Sequence, residues 1–211
     1  MEPKRNRTIL VYSLTGNTKY ISTVIASELS SSSSIKTSFV DIVQASGVIF
    51  QCIRQSKPPP PLPTEILSSL SSADFFGVGA LAWGGHPPPG VVQLIESLSE
   101  SGAIRGKRCF VLSTGGGVCG MACLDMWDAL VRAGAIPVSH FDLDTAPDSF
   151  FSYAPRWGGP FLWGQESIDR CKPWARELAG LLPNPKEGAV DPKMPPPFVS
   201  EMIRSYFNGQ E

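Results

Sequence analysis

Short apolar runs alternate with segments of helical periodicity along most of the chain. The run 8–13 has the length of a buried strand, and the segment 17–29 after it carries apolar residues three and four positions apart, as one face of a helix does. Strands are predicted at 8–13, 36–42, 74–81, 107–113 and 136–141, and helices at 17–29, 64–70, 90–98, 121–133 and 168–182. Because the strands are apolar on both faces, the pattern predicts a doubly wound α/β fold, in which helices cover both sides of a parallel sheet.

The composition argues against two classes of partner. The chain of 211 residues has 18 basic and 19 acidic residues and a net charge of -1, so it lacks the basic field that binds nucleic acid. Its longest apolar runs, such as 75–83, are far shorter than the roughly 20 residues needed to cross a bilayer, so no membrane partner is expected. A charged segment at 1–7 before a short apolar run is not typical of a signal peptide, and we expect a cytoplasmic protein with reduced cysteines.

The composition changes near the end of the chain. From residue 183 onward Pro, Lys and Asp become frequent, and a short apolar stripe follows at 198–207. We therefore predict one domain at 1–182 and a Pro-rich C-terminal tail at 183–211 that contains a short amphipathic helix.

Polar residues join the first predicted strand to the first predicted helix. Ser13, Thr15 and Thr18 contribute hydroxyls and Asn17 contributes an amide, next to the backbone N–H groups of the helix N-terminus. Since the helix dipole is positive there, the segment suits a phosphate dianion and needs no cation. The alternative is structural, with Thr15 or Asn17 as the N-cap and Gly16 as the turn. The position of the segment at the end of the first strand, where open parallel sheets bind ligands, favours the phosphate site.

The segment 9–18, Ile-Leu-Val-Tyr-Ser-Leu-Thr-Gly-Asn-Thr, resembles the phosphate loop of the flavodoxins. The segment 81–92, in which an aromatic residue, glycines and prolines precede a helix, is similar to the flavodoxin modules that are often fused to a two-cluster ferredoxin. The resemblance covers residues 8–182 and implies a five-stranded parallel sheet of order 2-1-3-4-5 with non-covalently bound FMN.

The resemblance also implies which residues bind the cofactor. The implied contacts are Ser13, Leu14, Thr15, Gly16, Asn17 and Thr18 for the phosphate, Ala82, Trp83, Gly84 and Gly85 for one side of the isoalloxazine ring system, and Ser113, Thr114, Gly115, Gly116 and Gly117 for its other edge. Trp83 is the candidate for ring stacking, with a partly buried tryptophan beside a turn as the alternative. The peptide between Gly84 and Gly85 is expected to turn over during reduction, because glycine alone reaches positive φ at little cost.

Two other motifs compete with this interpretation. Residues 115–120 satisfy the G-x-G-x-x-G pattern of dinucleotide-binding sites, with Asp142 about 20 residues further on. The pattern follows the fourth strand rather than the first, however, and only one further strand is predicted after it. Cys119 and Cys123 would share one helix face, but a metal would need two more ligands and neither His86 nor His140 is near in sequence, so buried thiols are favoured over a metal site.

The expected function is electron transfer through FMN. The partner would be a separate redox protein such as a ferredoxin or a reductase, because this chain contains no ferredoxin cysteine run. No residue is predicted to act as acid, base or nucleophile, since the flavin supplies the chemistry. Two alternatives stay open, namely an FMN-dependent NAD(P)H:quinone-type reductase and a flavodoxin-fold interaction module without cofactor.

Overall fold

The computed structural model of the chain describes residues 6–13, 17–31, 36–42, 62–82, 84–116, 119–145 and 165–181. Within these ranges strands and helices alternate as predicted. The strands are β1 (Asn6–Tyr12), β2 (Lys36–Asp41), β3 (Phe75–Leu81), β4 (Arg108–Gly116) and β5 (Ile136–Thr145). The helices are α1 (Asn17–Ser31), α2 (Thr64–Ser71), α3 (Pro89–Ser101), α4 (Ala122–Arg132) and α5 (Gln165–Gly180). The predicted tail at 183–211 lies outside the described residues.

The strands form one sheet of order β2-β1-β3-β4-β5, and every neighbouring pair is parallel. The predicted doubly wound α/β fold with order 2-1-3-4-5 is therefore confirmed. The register places Tyr12 of β1 opposite Ala80 of β3, and Ala80 opposite Ser113 of β4. The carboxyl ends of the three inner strands consequently meet at one edge of the sheet.

Two apolar layers cover the sheet, because alternate side chains of each strand point to opposite faces. Leu10 lies on the face that packs against α2, α3 and α4, where Leu94 is buried. Ile9 lies on the other face, which packs against α1 and α5 through Ile21 and Leu178. Full burial of each of these side chains stabilises the fold by about 1.5–3 kcal/mol. Among the helices of the described part of the chain, none has the length and apolar character that crossing a bilayer requires.

Two glycines of β3 let neighbouring groups approach the strand closely. A β-carbon at Gly77 would overlap the ring of Phe110, which lies beside it in β4. A β-carbon at Gly79 would lie 3.2 Å from the Ser22 hydroxyl and 3.4 Å from the Thr18 methyl group, both in α1. The absence of these two β-carbons therefore allows the first turns of α1 to lie directly against the carboxyl half of β3.

Two strands extend further than the sequence pattern predicts. β4 continues to Gly116 and β5 to Thr145, and Gly115 pairs with Asp144. The predicted end of the fourth strand at residue 113 was therefore too early, since pairing with β5 keeps Gly115 in the sheet. The sequence pattern of β5 is hidden because acidic residues flank Leu143, although Leu143 itself is fully buried.

Candidate functional site

The carboxyl edge of the sheet brings together the ends of β1, β3 and β4. Ser13 follows β1, Ala82 follows β3, and both are half-buried, while Thr114 near the end of β4 is buried. The three loops implied in cofactor binding therefore start side by side. Five of the implied contacts lie outside the described residues and stay predictions, namely Leu14, Thr15, Gly16, Trp83 and Gly117.

The first turn of α1 is fixed against the sheet by hydroxyl groups. α1 begins at Asn17, and Thr18 is 1% exposed with its Oγ1 2.8 Å from Oγ1 of Thr114. The Ser22 hydroxyl donates a hydrogen bond to the Thr18 carbonyl at 2.7 Å. The amides in the first turn of any α-helix have no intrahelical acceptor and attract anions. The Thr18 hydroxyl bonds to Thr114, and its backbone amide is a second group that we expect to contact a phosphate.

Thr114 connects the end of β4 to the first turn of α1 and to the residue that follows β3. Its hydroxyl bonds to Thr18 at the start of α1, and its carbonyl accepts the N–H of Ala82 at 2.8 Å. Thr114 also lies opposite Leu81 in the register of β3 and β4. Thr114 was implied as a contact of the ring edge, and the structure gives it a positioning role among the loops.

Ser113 has a buried hydroxyl on the opposite face of β4, the face that packs against α3 and α4. The residue is 0% exposed, and its hydroxyl has no hydrogen-bond partner among the described atoms. A buried hydroxyl left unpaired costs about 1–3 kcal/mol, so we expect a partner from a bound group or from the rest of the chain. Beyond it, Gly115 is buried and Gly116 is the last residue of β4. The Ser113 hydroxyl, unpaired among the described atoms, therefore fits its implied contact with the edge of the ring system.

The segment after β3 contains two consecutive residues in the left-handed region. Gly84 has φ +59° and Gly85 has φ +82°. A side chain at either position would add about 1–2 kcal/mol of backbone strain. Gly84 is exposed, and a β-carbon there would meet no atom within 4 Å, so its requirement for glycine is conformational. The exposed backbone leaves room for a planar group to approach.

The 84–86 loop, made of Gly84, Gly85 and His86, is attached to the N-terminal turn of α4. The carbonyl of Gly85 accepts the N–H of Met121 at 2.6 Å. Nδ1 of His86 lies 2.6 Å from Oδ2 of Asp125, and these two side chains are 55% and 35% exposed. The loops after β3 and β4 are thus joined to each other as well as to the sheet.

Beneath α4, two thiols lie in an apolar environment. Cys119 and Cys123 are each 2% exposed. Burial raises the pKa of Cys123 well above its ordinary value, and the carboxylate of Asp142 raises it further. The Cys123 thiol is therefore protonated and unreactive at neutral pH. Among the described residues, no group of His, Cys, Asp or Glu side chains has the geometry of a metal site.

The dinucleotide interpretation does not fit this geometry. Its first glycine, Gly115, lies within β4 and not in a tight turn. Asp142 lies inside β5 and interacts with Cys123 under α4. The sheet order 2-1-3-4-5 also differs from the order 3-2-1-4-5 of classic dinucleotide-binding domains.

Sequence reasoning missed the contact between His86 and Asp125, which are 39 positions apart. One signal was present, since Asp125 stands in the first turn of a predicted helix, where a carboxylate is favoured. Which residue pairs with the Asp125 carboxylate depends on the alignment of β3 and β4. Hydrophobic periodicity does not specify that alignment.

The sequence matches no protein-family model and no curated protein. The structure is similar to flavodoxin 1 from Bacillus cereus, with a TM-score of 0.56 and 17% identity over 84% of this chain and 99% of that one. It is similar to a protein described as an NADH:FMN oxidoreductase, with a TM-score of 0.58 and 12% identity over 84% of this chain and 90% of that one. It also matches the flavodiiron core of a Synechocystis protein, with a TM-score of 0.55 and 16% identity over 86% of this chain and only 36% of that longer chain. Likeness at such identities concerns the fold, and the chain has the flavodoxin-like fold.

Proposed function

We propose that the protein binds FMN non-covalently at the carboxyl edge of its sheet and carries electrons between redox partners. The observation that supports this proposal most is the pair of contacts by which Thr114 at the end of β4 joins the first turn of α1 and Ala82 after β3. In open parallel sheets this edge is where ligands bind. The buried hydroxyl of Ser113, which has no partner among the described atoms, and the open backbone at Gly84 fit a bound planar group.

The two ends of the cofactor would contact different loops. The phosphate would bind the amides of the first turn of α1 together with the residues 13–16, since a dianion is favoured at a helix N-terminus. The ring system would lie between the 84–86 loop and the end of β4. When bound, FMN supplies the electron-transfer chemistry, and the protein orients it and sets its potential.

The glycine pair of the 84–86 loop offers two hydrogen-bonding arrangements to the ring. Positive φ at both Gly84 and Gly85 is the pattern of a type I′ turn. Rotation of the peptide between them gives a type II′ turn, in which only the first glycine keeps positive φ. The rotation exchanges a carbonyl for an N–H on the ring side, while the Gly85 carbonyl stays bonded to Met121. The loop can therefore accept a hydrogen bond from a protonated ring nitrogen through its carbonyl, or donate one to an unprotonated ring nitrogen through its N–H.

The proposed partner is a separate redox protein such as a ferredoxin or a reductase. With a net charge of -1, the chain has no strong field to steer a partner, so docking would depend on local contacts. We therefore expect electron transfer to a partner to vary little with salt concentration.

The proposal is tested by titration with FMN and with riboflavin, which lacks the phosphate. Thr15→Ala is expected to weaken FMN binding about tenfold or more and to leave riboflavin binding unchanged, as hydrogen bonds to charged groups contribute about 1.5–3 kcal/mol. The matched control is Thr23→Ala, because Thr23 is exposed on α1 and its hydroxyl donates to the Lys19 carbonyl at 2.9 Å. Equal weakening of both ligands in Thr15→Ala would place the phosphate elsewhere.

A reductase is the second candidate, and the similarity to the protein described as an NADH:FMN oxidoreductase favours keeping it. The carrier proposal predicts little NADH or NADPH oxidation by the FMN-loaded protein. Steady turnover with a nicotinamide and a quinone, at rates of about 1–1,000 per second, would contradict the carrier proposal and support the reductase. Colourless protein that binds no flavin on reconstitution would favour an interaction module.

A further inference from the structure

We infer that His86 and Asp125 form a latch, a side-chain contact that fixes the 84–86 loop against α4 and thereby positions the ring system of bound FMN. The inference rests on the proposed function, because the ring is expected between this loop and the end of β4. Neither residue belongs to the contacts that the resemblance implies.

Two bonds of different kinds join the loop to α4. The Gly85 carbonyl accepts the Met121 N–H at 2.6 Å, and His86 Nδ1 lies 2.6 Å from Asp125 Oδ2. The two attachment points on α4 are one helical turn apart, since the Asp125 N–H donates to the Met121 carbonyl at 2.9 Å. One bond would leave the loop free to rotate about it. Two bonds at neighbouring loop residues fix both the distance and the orientation.

The latch lies at the boundary between a flexible and a stiff stretch of backbone. On its N-terminal side, Gly84 and Gly85 have no β-carbon to limit their dihedral angles. On its C-terminal side, His86 precedes Pro87 and Pro88, which are buried. A proline restricts its own φ and holds the residue before it in an extended conformation. The conformational freedom of the loop backbone is therefore concentrated in the two glycines, and the latch limits the positions that the loop can adopt.

The chemistry of the pair is a charge-assisted hydrogen bond. The Asp125 carboxylate can only accept, so the imidazole carries its proton on Nδ1, and this holds for the neutral ring as well as for the charged one. The amide nitrogen of an asparagine occupies nearly the same place as Nδ1, whereas leucine has the bulk of the ring without a donor. His86→Asn is thus expected to keep the latch and His86→Leu to remove it.

Both side chains are partly exposed, so the pair contributes little to global stability. Its effect should instead appear locally, at the Met121 amide and in ring binding. If the two residues formed only a surface ion pair, removing it would change neither hydrogen exchange at the Met121 amide nor the affinity for the ring.

The first experiment needs no cofactor and measures hydrogen exchange of the Met121 amide in the full chain. His86→Leu and Asp125→Ala are each expected to speed exchange by about two- to fivefold, the range for exposed ion pairs. The double variant should exchange no faster than either single variant, and His86→Asn should behave like wild type. Asp128→Ala, at a half-buried acidic position one turn further along α4, is the matched control.

The second experiment titrates the same variants with FMN and riboflavin and measures the midpoint potential of the FMN-loaded protein. Loss of the latch is expected to weaken both flavins by the same two- to fivefold, because both share the ring, and to shift the potential. His86→Asn should restore wild-type values. This pattern differs from that of Thr15→Ala, which is expected to weaken FMN alone.

The outcomes separate the inference from the proposed function. Unchanged Met121 exchange in His86→Leu, or equal changes in Asp128→Ala, would overturn the latch. Faster exchange with unaltered flavin affinity and potential would overturn its positioning role. Failure of the wild-type protein to bind either flavin would overturn the proposed function, and the exchange measurement would still decide whether the latch exists.

Discussion

Gly120→Ala is expected to displace the 84–86 loop from α4. Gly120 has φ +60°, so an alanine there adds about 1–2 kcal/mol of backbone strain. Its β-carbon would also lie 2.5 Å from Cα and 2.6 Å from the carbonyl oxygen of Gly85, which is closer than the 3.5–4.0 Å at which carbon atoms attract each other. Gly85 must therefore move, and its hydrogen bond to Met121 is weakened or lost.

The two effects add to a measurable loss of stability. A typical hydrogen bond contributes about 0.5–1.5 kcal/mol, so together with the strain the free energy of unfolding should fall by about 1.5–3.5 kcal/mol. Gly102→Ala is the matched control, because Gly102 has φ +72° but a β-carbon there meets no atom within 4 Å. It should cost only the strain of about 1–2 kcal/mol. The difference between the two variants isolates the contact with Gly85.

Urea unfolding measures the stability of both variants, and titration with FMN and riboflavin measures the site. In Gly120→Ala we expect both flavins to bind about tenfold more weakly, which corresponds to about 1.4 kcal/mol, while Gly102→Ala leaves both affinities unchanged. Equal losses of stability in the two variants, together with unaltered flavin affinity in Gly120→Ala, would refute the close packing of this loop against α4 and its place at the site.

Three further predictions concern the packing that supports the site. Thr114→Val leaves the buried Thr18 hydroxyl without its partner and should lower the free energy of unfolding by about 1–3 kcal/mol in urea titrations, while adding Thr18→Val should restore part of the loss. Gly77→Ala should cost about 1–3 kcal/mol in the same assay, because the neighbouring ring must move, whereas a β-carbon at Gly180 meets nothing and Gly180→Ala should not destabilise. Burial raises the pKa of Cys171 to about 11 from an ordinary value near 9. Because the unfolded thiol ionises first, this contribution to stability is complete below about pH 9 and is lost as the pH rises towards 11, and Cys171→Ala should flatten that decline.

Each of these has a contradicting result. Fully additive losses in the Thr18 and Thr114 double variant would mean that the two hydroxyls do not bond to each other. Equal stability of Gly77→Ala and Gly180→Ala would contradict the tight packing on β3. An unfolding free energy that stays level from pH 9 to 11 in the wild type, by urea titration at each pH, would contradict a buried, protonated thiol at Cys171.

The fold could be predicted from the sequence because each of its elements has a local signal. Ile9 and Leu10 belong to opposite apolar layers, and a run that is apolar on both faces indicates a parallel strand. The order of the strands came from the resemblance and not from periodicity. The fourth strand was predicted to end at residue 113, because glycine favours a turn locally and only pairing with Asp144 keeps Gly115 in the sheet.

The candidate site could be predicted only in outline. The polar segment after β1 and the glycine pair after β3 both follow strands at the carboxyl edge of the sheet, and their binding of FMN stays a prediction. The bonds that fix this edge, such as Thr18 to Thr114, join residues 96 positions apart. Contacts of this kind depend on how the strands align, so residue type and spacing do not reveal them. Thr18 stays a predicted phosphate ligand, and the sequence did not reveal that its hydroxyl also bonds to that of Thr114.

We propose that the carboxyl edge of the sheet binds FMN through both its ring and its phosphate. The most direct measurement is the affinity of the wild-type protein for FMN and for riboflavin, followed by flavin fluorescence at low ionic strength. We expect FMN to bind at least about tenfold more tightly than riboflavin, because a phosphate bonded to helix amides contributes about 1.5–3 kcal/mol. Absence of FMN binding, or equal affinity for the two flavins, would contradict it.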